Sequence, residues 1–454
     1  MSRMDTGKNR TVAEDGPSWE FTDKPVTAWG GMIPLAHLLE SSGVRGDIDR
    51  IPWPRGRSHL AADPAETFTA FLVTLWTGGF RFAHTAHLRG DAALREMFSL
   101  KTVPAPCTFT RWFNRFGPED VDLCLDGLMR RIWSKVHPLN LTLDLDSTVF
   151  TRHGGAQEGA EVGYNPVKPG RKSHHPLIAF ASDVRMLANA WLRPGDAGAA
   201  NNAAAFLDHT LSVLGDRHKV GLLRADSGFC TERFIAHAES LKINYTIATP
   251  FRRNFRHRVG GLDSWVSIAP GIDVAETAWK LNRESAERRV VIMRQQVFLR
   301  PEAGGKTLFP GEKMYRYSAY VTNLTLPPAE VWRLYRGRAD SENRIKELKH
   351  DFGADRLNLK SFYATEAALK GVVIAYNLLA MLRQIHPQHE RGQTVGTRRS
   401  NCFAIGALLG RRGRHRILRL GLGRERRPWF EGLWSKLHEV DPWKIEKLPS
   451  ESKR

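Results

Sequence analysis

One charged segment, residues 335–349, most constrains the fold of this chain: Tyr-Arg-Gly-Arg-Ala-Asp-Ser-Glu-Asn-Arg-Ile-Lys-Glu-Leu-Lys. Pro327-Pro328 before it and Gly353 after it predict a single helix, because proline is tolerated in a first turn and glycine often ends a helix. At about 100° per residue, four polar side chains fall within an arc of about 60°: Tyr335, Arg338, Glu342 and Lys349. An apolar stripe lies beside this arc: Val331, Leu334, Ile345, Leu348 and Phe352. The pattern predicts a carboxylate at the rim of a core; a solvent-exposed helix with pairs such as Glu342–Lys346 is the alternative.

The spacing of these polar residues is Tyr-x2-Arg-x3-Glu-x6-Lys. It resembles, at every position, the signature of the DDE transposases of bacterial insertion sequences, in the group that moves DNA by cut and paste. The resemblance implies that Glu342 is the third metal-binding carboxylate and that Mg²⁺ or Mn²⁺ is the cofactor. It also implies that Tyr335, Arg338 and Lys349 support the site.

Two aspartates are needed upstream of Glu342, and the chain offers candidates after two predicted strands. Residues 139–146 alternate leucine with polar residues, which predicts a half-buried strand with Asp144 and Asp146 on its polar face. A short apolar run, predicted as a second strand, precedes Asp226, which lies within Ala-Asp-Ser-Gly-Phe. Positions two apart share a strand face, so Asp144 competes with Asp146. We favour Asp146, because the first aspartate of the family is typically followed by small hydroxyl residues, here Ser147-Thr148. The predicted catalytic and metal-binding triad is therefore Asp146, Asp226 and Glu342.

The order of predicted elements is strands, helix, strand, helix, strand, which indicates an α/β fold. The resemblance implies a ribonuclease H-like catalytic core interrupted by a β-rich insertion, with a helical N-terminal domain and a basic helical C-terminal region. The predicted segments are a flexible N-terminal arm (1–60), a helical domain for DNA-end binding or dimerisation (61–136), the first part of the core (137–250), the insertion (251–316), the second part of the core (317–388) and the basic region (389–454).

Candidate DNA contacts lie outside the triad. Lys168, Arg171 and Lys172 fall in a basic stretch that resembles this transposase group and is suited to gripping phosphates. Arg111 and Arg115 lie on a short predicted helix with Trp112 that fits a DNA groove, although a plain packing helix is an equal alternative. In the insertion, Trp265 is preferred over Trp279 as a stacking platform for an unpaired base, and packing of both indoles within the insertion is the alternative.

Composition agrees with a polyanionic partner. The net charge is +19 and the isoelectric point is near 10.0, which favours nucleic acid. The four cysteines are far apart in sequence and form no CxxC pair, so a reducing cytoplasm fits best. We expect a nucleoid-associated bacterial protein with no membrane association, because no apolar run approaches about 20 residues.

The sequence therefore predicts a DNA transposase that cleaves the inverted-repeat ends of a mobile element and joins the 3′ ends to target DNA. We expect a homodimer in the synaptic complex, bound to double-stranded transposon and target DNA. The alternatives are a ribonuclease H-like nuclease without strand transfer, and a catalytically silent DNA-binding protein descended from a transposase.

Overall fold

The computed structural model describes residues 20–58, 61–154, 156–297, 314–357, 359–385 and 393–445. Its strands are β1 (Val26–Thr27), β2 (Asn140–Ser147), β3 (Phe150–Thr151), β4 (Glu161–Val162), β5 (Lys172–His174), β6 (Leu177–Ala181), β7 (Met186–Trp191), β8 (Lys219–Ala225), β9 (Asn244–Ala248), β10 (Val266–Ala269), β11 (Ile272–Lys280), β12 (Glu287–Val297), β13 (Met314–Thr322), β14 (Ala407–Arg412) and β15 (His415–Leu420).

The α-helices are α1 (Ile33–Ser41), α2 (Val44–Arg50), α3 (Pro64–Trp76), α4 (Thr85–Gly90), α5 (Ala92–Met97), α6 (Pro106–Phe113), α7 (Pro118–Asp120), α8 (Gly127–Lys135), α9 (Ala203–Leu214), α10 (Glu232–Ser240), α11 (Arg253–Gly260), α12 (Pro328–Arg336), α13 (Ala339–His350), α14 (Phe362–Ile385), α15 (Val395–Arg398) and α16 (Arg427–Glu439). Val121–Asp126 and Arg399–Phe403 are π-helical, and Gly30–Met32, Phe82–His84, Ser227–Phe229 and Arg424–Arg426 are 3₁₀ turns.

A nine-stranded mixed sheet runs through the middle of the chain in the order β10-β11-β12-β13-β9-β8-β2-β6-β7. The pairs β2–β8 and β8–β9 are parallel, and the other neighbours are antiparallel. Leu145 on β2 pairs with Ala225 on β8, so both strands end at the same edge of the sheet. The predicted α/β class is confirmed as a mixed α/β structure with this large sheet and many helices.

The segment predicted as an insertion adds strands to this same sheet. β11 and β12 pair along their length, and β12 pairs with β13, which in turn pairs with β9. Residues 298–313, which the insertion prediction includes, lie outside the described residues. The domain boundaries stay predictions.

Helix α14 is the central core helix. It is 24 residues long and apolar enough by length and composition to cross a membrane, yet its apolar window is wholly buried inside the protein. The expectation that no apolar run approaches about 20 residues is therefore wrong for α14. Trp76 on α3 donates to the Ala375 carbonyl at 2.9 Å, and Asn377 donates to the Leu187 carbonyl of β7 at 2.8 Å, so α14 joins the helical layer to the sheet.

The N-terminal segment differs from the predicted flexible arm. Residues 20–58 include α1 and α2, and Leu35, Leu38, Val44 and Ile48 are fully buried in the main core. The sequence pattern is weak here because α1 is apolar on most sides, as expected of a helix enclosed by other elements. Residues 1–19 and 59–60 of the predicted arm lie outside the described residues.

The C-terminal region, predicted as basic and helical, contains strands as well as helices. β14 and β15 form an antiparallel hairpin, and β14 pairs with β1 near the other end of the chain. Leu433 and Leu437 of α16 are buried in the core. Residues 386–392 and 446–454 of this part of the chain are not among those described.

Candidate active site at the end of strands β2 and β8

Asp146 and Asp226 lie side by side in the sheet because their strands are parallel and in register. Asp146 is the residue after Leu145, and Asp226 is the residue after Ala225, its partner across the sheet. The Ser147 amide donates to Asp146 Oδ1 at 2.8 Å, and the Gly228 amide donates to Asp226 Oδ1 at 2.9 Å. Backbone amides thus orient both carboxylates at the edge where β2 and β8 end.

The signature segment is two helices, and the prediction of a single helix is wrong. α12 ends at Arg336 and α13 begins at Ala339. Between them Arg338 donates its amide to the Tyr335 carbonyl at 2.9 Å, a tighter pattern than that of an α-helix. A Cβ at Gly337 would lie 2.5 Å from Arg224 Nη1, so glycine permits the chain to approach β8 here.

Arg338 links the first and third predicted carboxylates. Its Nη2 lies 3.0 Å from Asp146 Oδ2, and its Nη1 lies 3.2 Å from Glu342 Oε1. Nη2 also approaches the Leu145 carbonyl at 3.4 Å. Only 6% of Arg338 is exposed, whereas the Glu342 side chain is 56% exposed. A buried cation therefore holds β2 against α13 and leaves Glu342 open to solvent.

The three predicted carboxylates interact electrostatically. Burial raises the pKa of Asp146 to about 6; the Arg338 charge opposes this rise, and the charges of Asp226 and Glu342 add to it. Burial and the charges of Asp226 and Glu342 therefore resist the ionisation of Asp146. A divalent cation would relieve this repulsion, and clustered carboxylates are the ligands that Mg²⁺ prefers, so the donor set fits such an ion.

Asp144, the competing first carboxylate, is fully buried and fully engaged. Arg224 binds both of its oxygens, with Nη2 at 2.7 Å from Oδ2. Arg224 also donates to the Leu334 carbonyl on α12 at 2.7 Å and to Ser182 Oγ at 3.0 Å. Asp144 thus anchors α12 to the sheet, while Asp146 lies at the strand end. Arg224 was missed by the sequence reasoning, although an arginine next to a run of apolar strand residues was the available signal.

The other two signature residues, Tyr335 and Lys349, contact different parts of the structure. The Tyr335 ring packs on Tyr320 with centroids 4.3 Å apart, and burial raises the pKa of Tyr335 to about 12. Lys349 Nζ lies 3.1 Å from the Val149 carbonyl and 3.3 Å from Thr148 Oγ1, just after β2. Tyr335 is thus a neutral phenol, and Lys349 places a positive charge beside the loop that follows Asp146.

His175 is a further residue near this edge that the sequence reasoning did not select. It is 4% exposed, its Nδ1 lies 2.6 Å from the Ala197 carbonyl, and Asp226 acts on it electrostatically. The adjacent His174 instead accepts from Arg152 Nε at 2.9 Å and donates to the Glu158 carbonyl at 2.9 Å. The two adjacent histidines therefore hydrogen-bond to different partners.

The predicted DNA contacts divide into exposed and engaged residues. Lys168, Arg171 and Lys172 are exposed in and beside the small β3-β5-β4 sheet. Arg111 and Arg115 are both exposed, and Arg115 also donates to the Arg55 carbonyl at 2.8 Å. Trp112 is buried and donates to the Pro54 carbonyl at 3.0 Å, so it packs in the core and does not face a groove.

The two tryptophans of the predicted insertion are half-buried. The Arg294 guanidinium lies 4.2 Å from the Trp265 ring centroid, and Trp265 Nε1 donates to the Leu262 carbonyl at 2.8 Å. Trp279 packs against Phe255, with centroids 5.2 Å apart. Trp265 is thus already stacked on a cation, and its role as a base platform stays a prediction.

A second acidic cluster lies away from this edge. Asp122, Asp126 and His209 are the group of three potential metal ligands, among the described residues, whose ligand atoms all lie within 4.8 Å of one another. Trp191 Nε1 donates to His209 Nδ1 at 2.7 Å, so the neutral ring carries its proton on Nε2, which faces the carboxylates. A metal-binding histidine normally donates from its other nitrogen, and Lys370 already neutralises Asp126 at 2.5 Å. This cluster is better explained as a buried polar network.

Comparison with known proteins identifies a matching family and similar solved structures. The family model described as "Transposase DDE domain group 1" matches residues 16–441. The synaptic complex of piggyBac transposase with hairpin DNA is similar to this chain at 12% sequence identity and a TM-score of 0.39, over 84% of this chain and 80% of that chain. None of the curated proteins matches.

Proposed function

Because the chain belongs to the transposase DDE domain family, whose model matches most of its length, we propose that it is a DNA transposase of a bacterial insertion sequence. It cleaves the inverted-repeat ends of its element and joins the freed 3′ ends to target DNA. The observation that carries this proposal is the joint placement of Asp146, Asp226 and Glu342 around the Arg338 guanidinium at one sheet edge.

In this proposal Asp146, Asp226 and Glu342 hold divalent cations, Mg²⁺ or Mn²⁺. Bound there, the ions would supply an activated water and stabilisation of the leaving oxygen. Arg338 keeps Asp146 ionised in a buried position and fixes its direction. Lys349 offers a positive charge to a phosphate beside the strand end, and the neutral Tyr335 hydroxyl offers a hydrogen-bond donor. Phosphate positioning of this kind carries no base preference of its own.

We propose a ribonuclease H-like topology for the core. The support is the spatial order of the strands. The antiparallel strands β7, β6 and β2 are followed in the sheet by β8 and β9, which are parallel to β2, and α9 and α10 connect the strands. The predicted partners follow from the function: double-stranded transposon and target DNA, and a second copy of the chain in the synaptic complex. A bacterial cytoplasmic, nucleoid-associated location is part of the same proposal.

A strand-cleavage and joining assay separates this function from its alternatives. The full chain is incubated with a labelled duplex carrying the element's inverted repeat and with a circular target, with Mg²⁺ or with a chelator. Joined product that requires Mg²⁺ supports a transposase. Nicking without joining supports a nuclease, and a mobility shift without any cut strand supports a silent DNA-binding protein.

A further inference from the structure

The β14–β15 hairpin, with its connecting residues Gly413 and Arg414, is strongly basic. We call it the arginine ribbon. Residues 407–420 contain five arginines and one histidine and no acidic residue. All six basic side chains are exposed: Arg411, Arg412, Arg414, His415, Arg416 and Arg419.

Basic residues face each other across this ribbon. Arg411 is directly opposite Arg416, and Arg412 is directly opposite His415. Like charges in opposite positions destabilise a hairpin, so the Arg411–Arg416 pair costs folding energy. Among the described residues, the acidic partner of the ribbon is Glu96 on α5, which pairs with Arg416. The remaining positive charge is available to an external polyanion.

The base of the ribbon is nevertheless firmly held. β1 pairs with β14 at Leu408 and Ala407, and the Leu409 amide donates to the Pro25 carbonyl at 2.9 Å. A Cβ at Gly30 would overlap Ala407 and Leu420, so one face of the ribbon packs closely on the N-terminal segment. The turn has φ of +61° at Gly413, the first position of a two-residue loop, as the tight II′ hairpin turn requires. The turn of the ribbon, Gly413-Arg414, is therefore held in a fixed position by its packed base.

The faces of the ribbon carry different residues. Because side chains alternate along a strand, Ala407, Leu409 and Arg411 share the packed face with their partners on β15. The opposite face presents Arg412, His415 and Arg419, and Arg414 lies in the turn. Four basic residues thus point away from the face that packs on Gly30.

The basic surface continues beyond the ribbon. Glu96, the partner of Arg416, follows Arg95, whose Nε is buried and has no hydrogen-bond acceptor among the described residues. Arg95 lines a cavity of about 400 Å³ together with Arg89, Gly90, Lys101, Thr102 and Val103. A DNA backbone bound beside the ribbon would lie next to these cations.

We propose that the arginine ribbon enters the major groove of duplex DNA, with Arg412, Arg414, His415 and Arg419 as its contacts. Two strands about 4.8 Å apart with their side chains fit a groove about 12 Å wide and do not fit a minor groove about 6 Å wide. The partner class rests on the proposed function, in which DNA is the substrate. The ribbon belongs to neither the carboxylate site nor the predicted contacts of α6 and the β4–β5 segment.

The test compares two triple variants of the full chain that lose equal charge. R412Q/R414Q/R419Q alters the ribbon, and R217Q/K219Q/K242Q alters exposed cations near the start of β8 and β9, at the opposite sheet edge from Asp226. The probe is a labelled duplex carrying the element's inverted repeat. Binding is measured across a salt series, and guanine N7, which faces the major groove, is mapped by dimethyl sulfate protection.

The ribbon variant should reduce the log–log salt slope by about 2–3, because each of the three lost cations neutralises a phosphate and each phosphate contact contributes about 0.9. It should also lose guanine protections, while the control variant keeps both. An unchanged slope, unchanged protections, or an equal loss in the control overturns the proposal. If the wild type never cuts DNA but the ribbon variant shows the reduced slope and lost protections, the proposed catalysis is wrong and the ribbon proposal stands. If the wild type cuts DNA and the ribbon variant binds DNA as the wild type does, the ribbon proposal is wrong and the proposed catalysis stands.

Discussion

At the scale of single residues, Asp144 and Asp146 show how two carboxylates on one strand face acquire different roles. Asp144 is enclosed and binds Arg224 through both oxygens, whereas Asp146 lies at the strand end with Arg338 on one side. The alternation of residues 139–146 correctly predicted the strand and placed both carboxylates on one face. It could not distinguish them, because Arg224 and Arg338 reach β2 from segments about 80 and 190 residues away in sequence.

The stability of the protein should depend on the ionisation of Asp146. Its folded pKa of about 6 is above the unfolded value near 3.8, so the folded protein binds an extra proton between these values. The contribution of Asp146 to the free energy of unfolding should therefore fall as pH rises from about 4 to 6. Relative to Asp146→Asn, the wild type should lose about 3 kcal/mol across this interval. Urea unfolding of both proteins with a chelator measures the difference, and parallel pH profiles would contradict it.

Asp144→Ala should damage the fold, in contrast to a lost metal ligand. It leaves the Arg224 guanidinium buried without its carboxylate, which costs about 3–5 kcal/mol for a broken buried pair. Asp226→Ala, at a half-buried edge position, is the matched control and should change the free energy of unfolding far less. Urea unfolding of both variants checks this. Equal destabilisation would show that the Asp144–Arg224 pair has no special structural role.

At the scale of elements, the junction between α12 and α13 determines where the signature residues lie. Proline and glycine correctly predicted the start and end of the helical segment. α12 begins at Pro328, and α13 ends at His350, shortly before Gly353, which has a positive φ. The sequence pattern did not predict the break at Gly337 and Arg338, because it follows from tertiary contacts with Arg224 and β2. A local pattern cannot reveal a break that a distant strand imposes.

Gly337→Ala should disturb this junction. The added Cβ would lie 2.5 Å from Arg224 Nη1, whose guanidinium is held by Asp144. We expect a loss of about 1–3 kcal/mol from overpacking, and loss of DNA cleavage as Arg338 is displaced. Gly46→Ala in α2 is the control: a Cβ there meets nothing within 4 Å and should gain about 0.5–1 kcal/mol. Thermal unfolding and a nicking assay measure both, and a Gly337→Ala protein with unchanged stability and cleavage would contradict the account.

At the scale of the whole molecule, the two ends of the described chain belong to one structure. β1 pairs with β14, and Trp443 Nε1 donates to the Ser42 carbonyl at 3.2 Å. Strands β2 and β8 were predictable from the alternation of residues 139–146 and from the apolar run before Asp226. The pairing of β1 was not, because a strand this short carries no pattern and its partner β14 lies more than 350 residues away.

Truncation after residue 390 should therefore destabilise the protein as well as remove basic charge. It deletes the buried side chains of Leu433 and Leu437, each worth about 1.5–3 kcal/mol, and leaves β1 without its neighbour. We expect a lower melting temperature and faster proteolysis of the N-terminal segment, both measurable on purified protein. The ribbon variant R412Q/R414Q/R419Q, which keeps these contacts, is the control. A truncated chain as stable as the wild type would mean that the C-terminal segment is only appended.

The central claim is that Asp146, Asp226 and Glu342 form one metal-dependent site that cuts DNA. The direct measurement is first-strand nicking of a duplex carrying the inverted repeat, with Mg²⁺ titrated from zero, for the wild type and for Asp146→Ala, Asp226→Ala and Glu342→Ala. Glu330→Ala, an exposed carboxylate on α12, is the matched control. The account predicts Mg²⁺-dependent nicking by the wild type and the control, and none by the three variants, each of which still shifts the duplex. Nicking that survives removal of any one of the three carboxylates would contradict it.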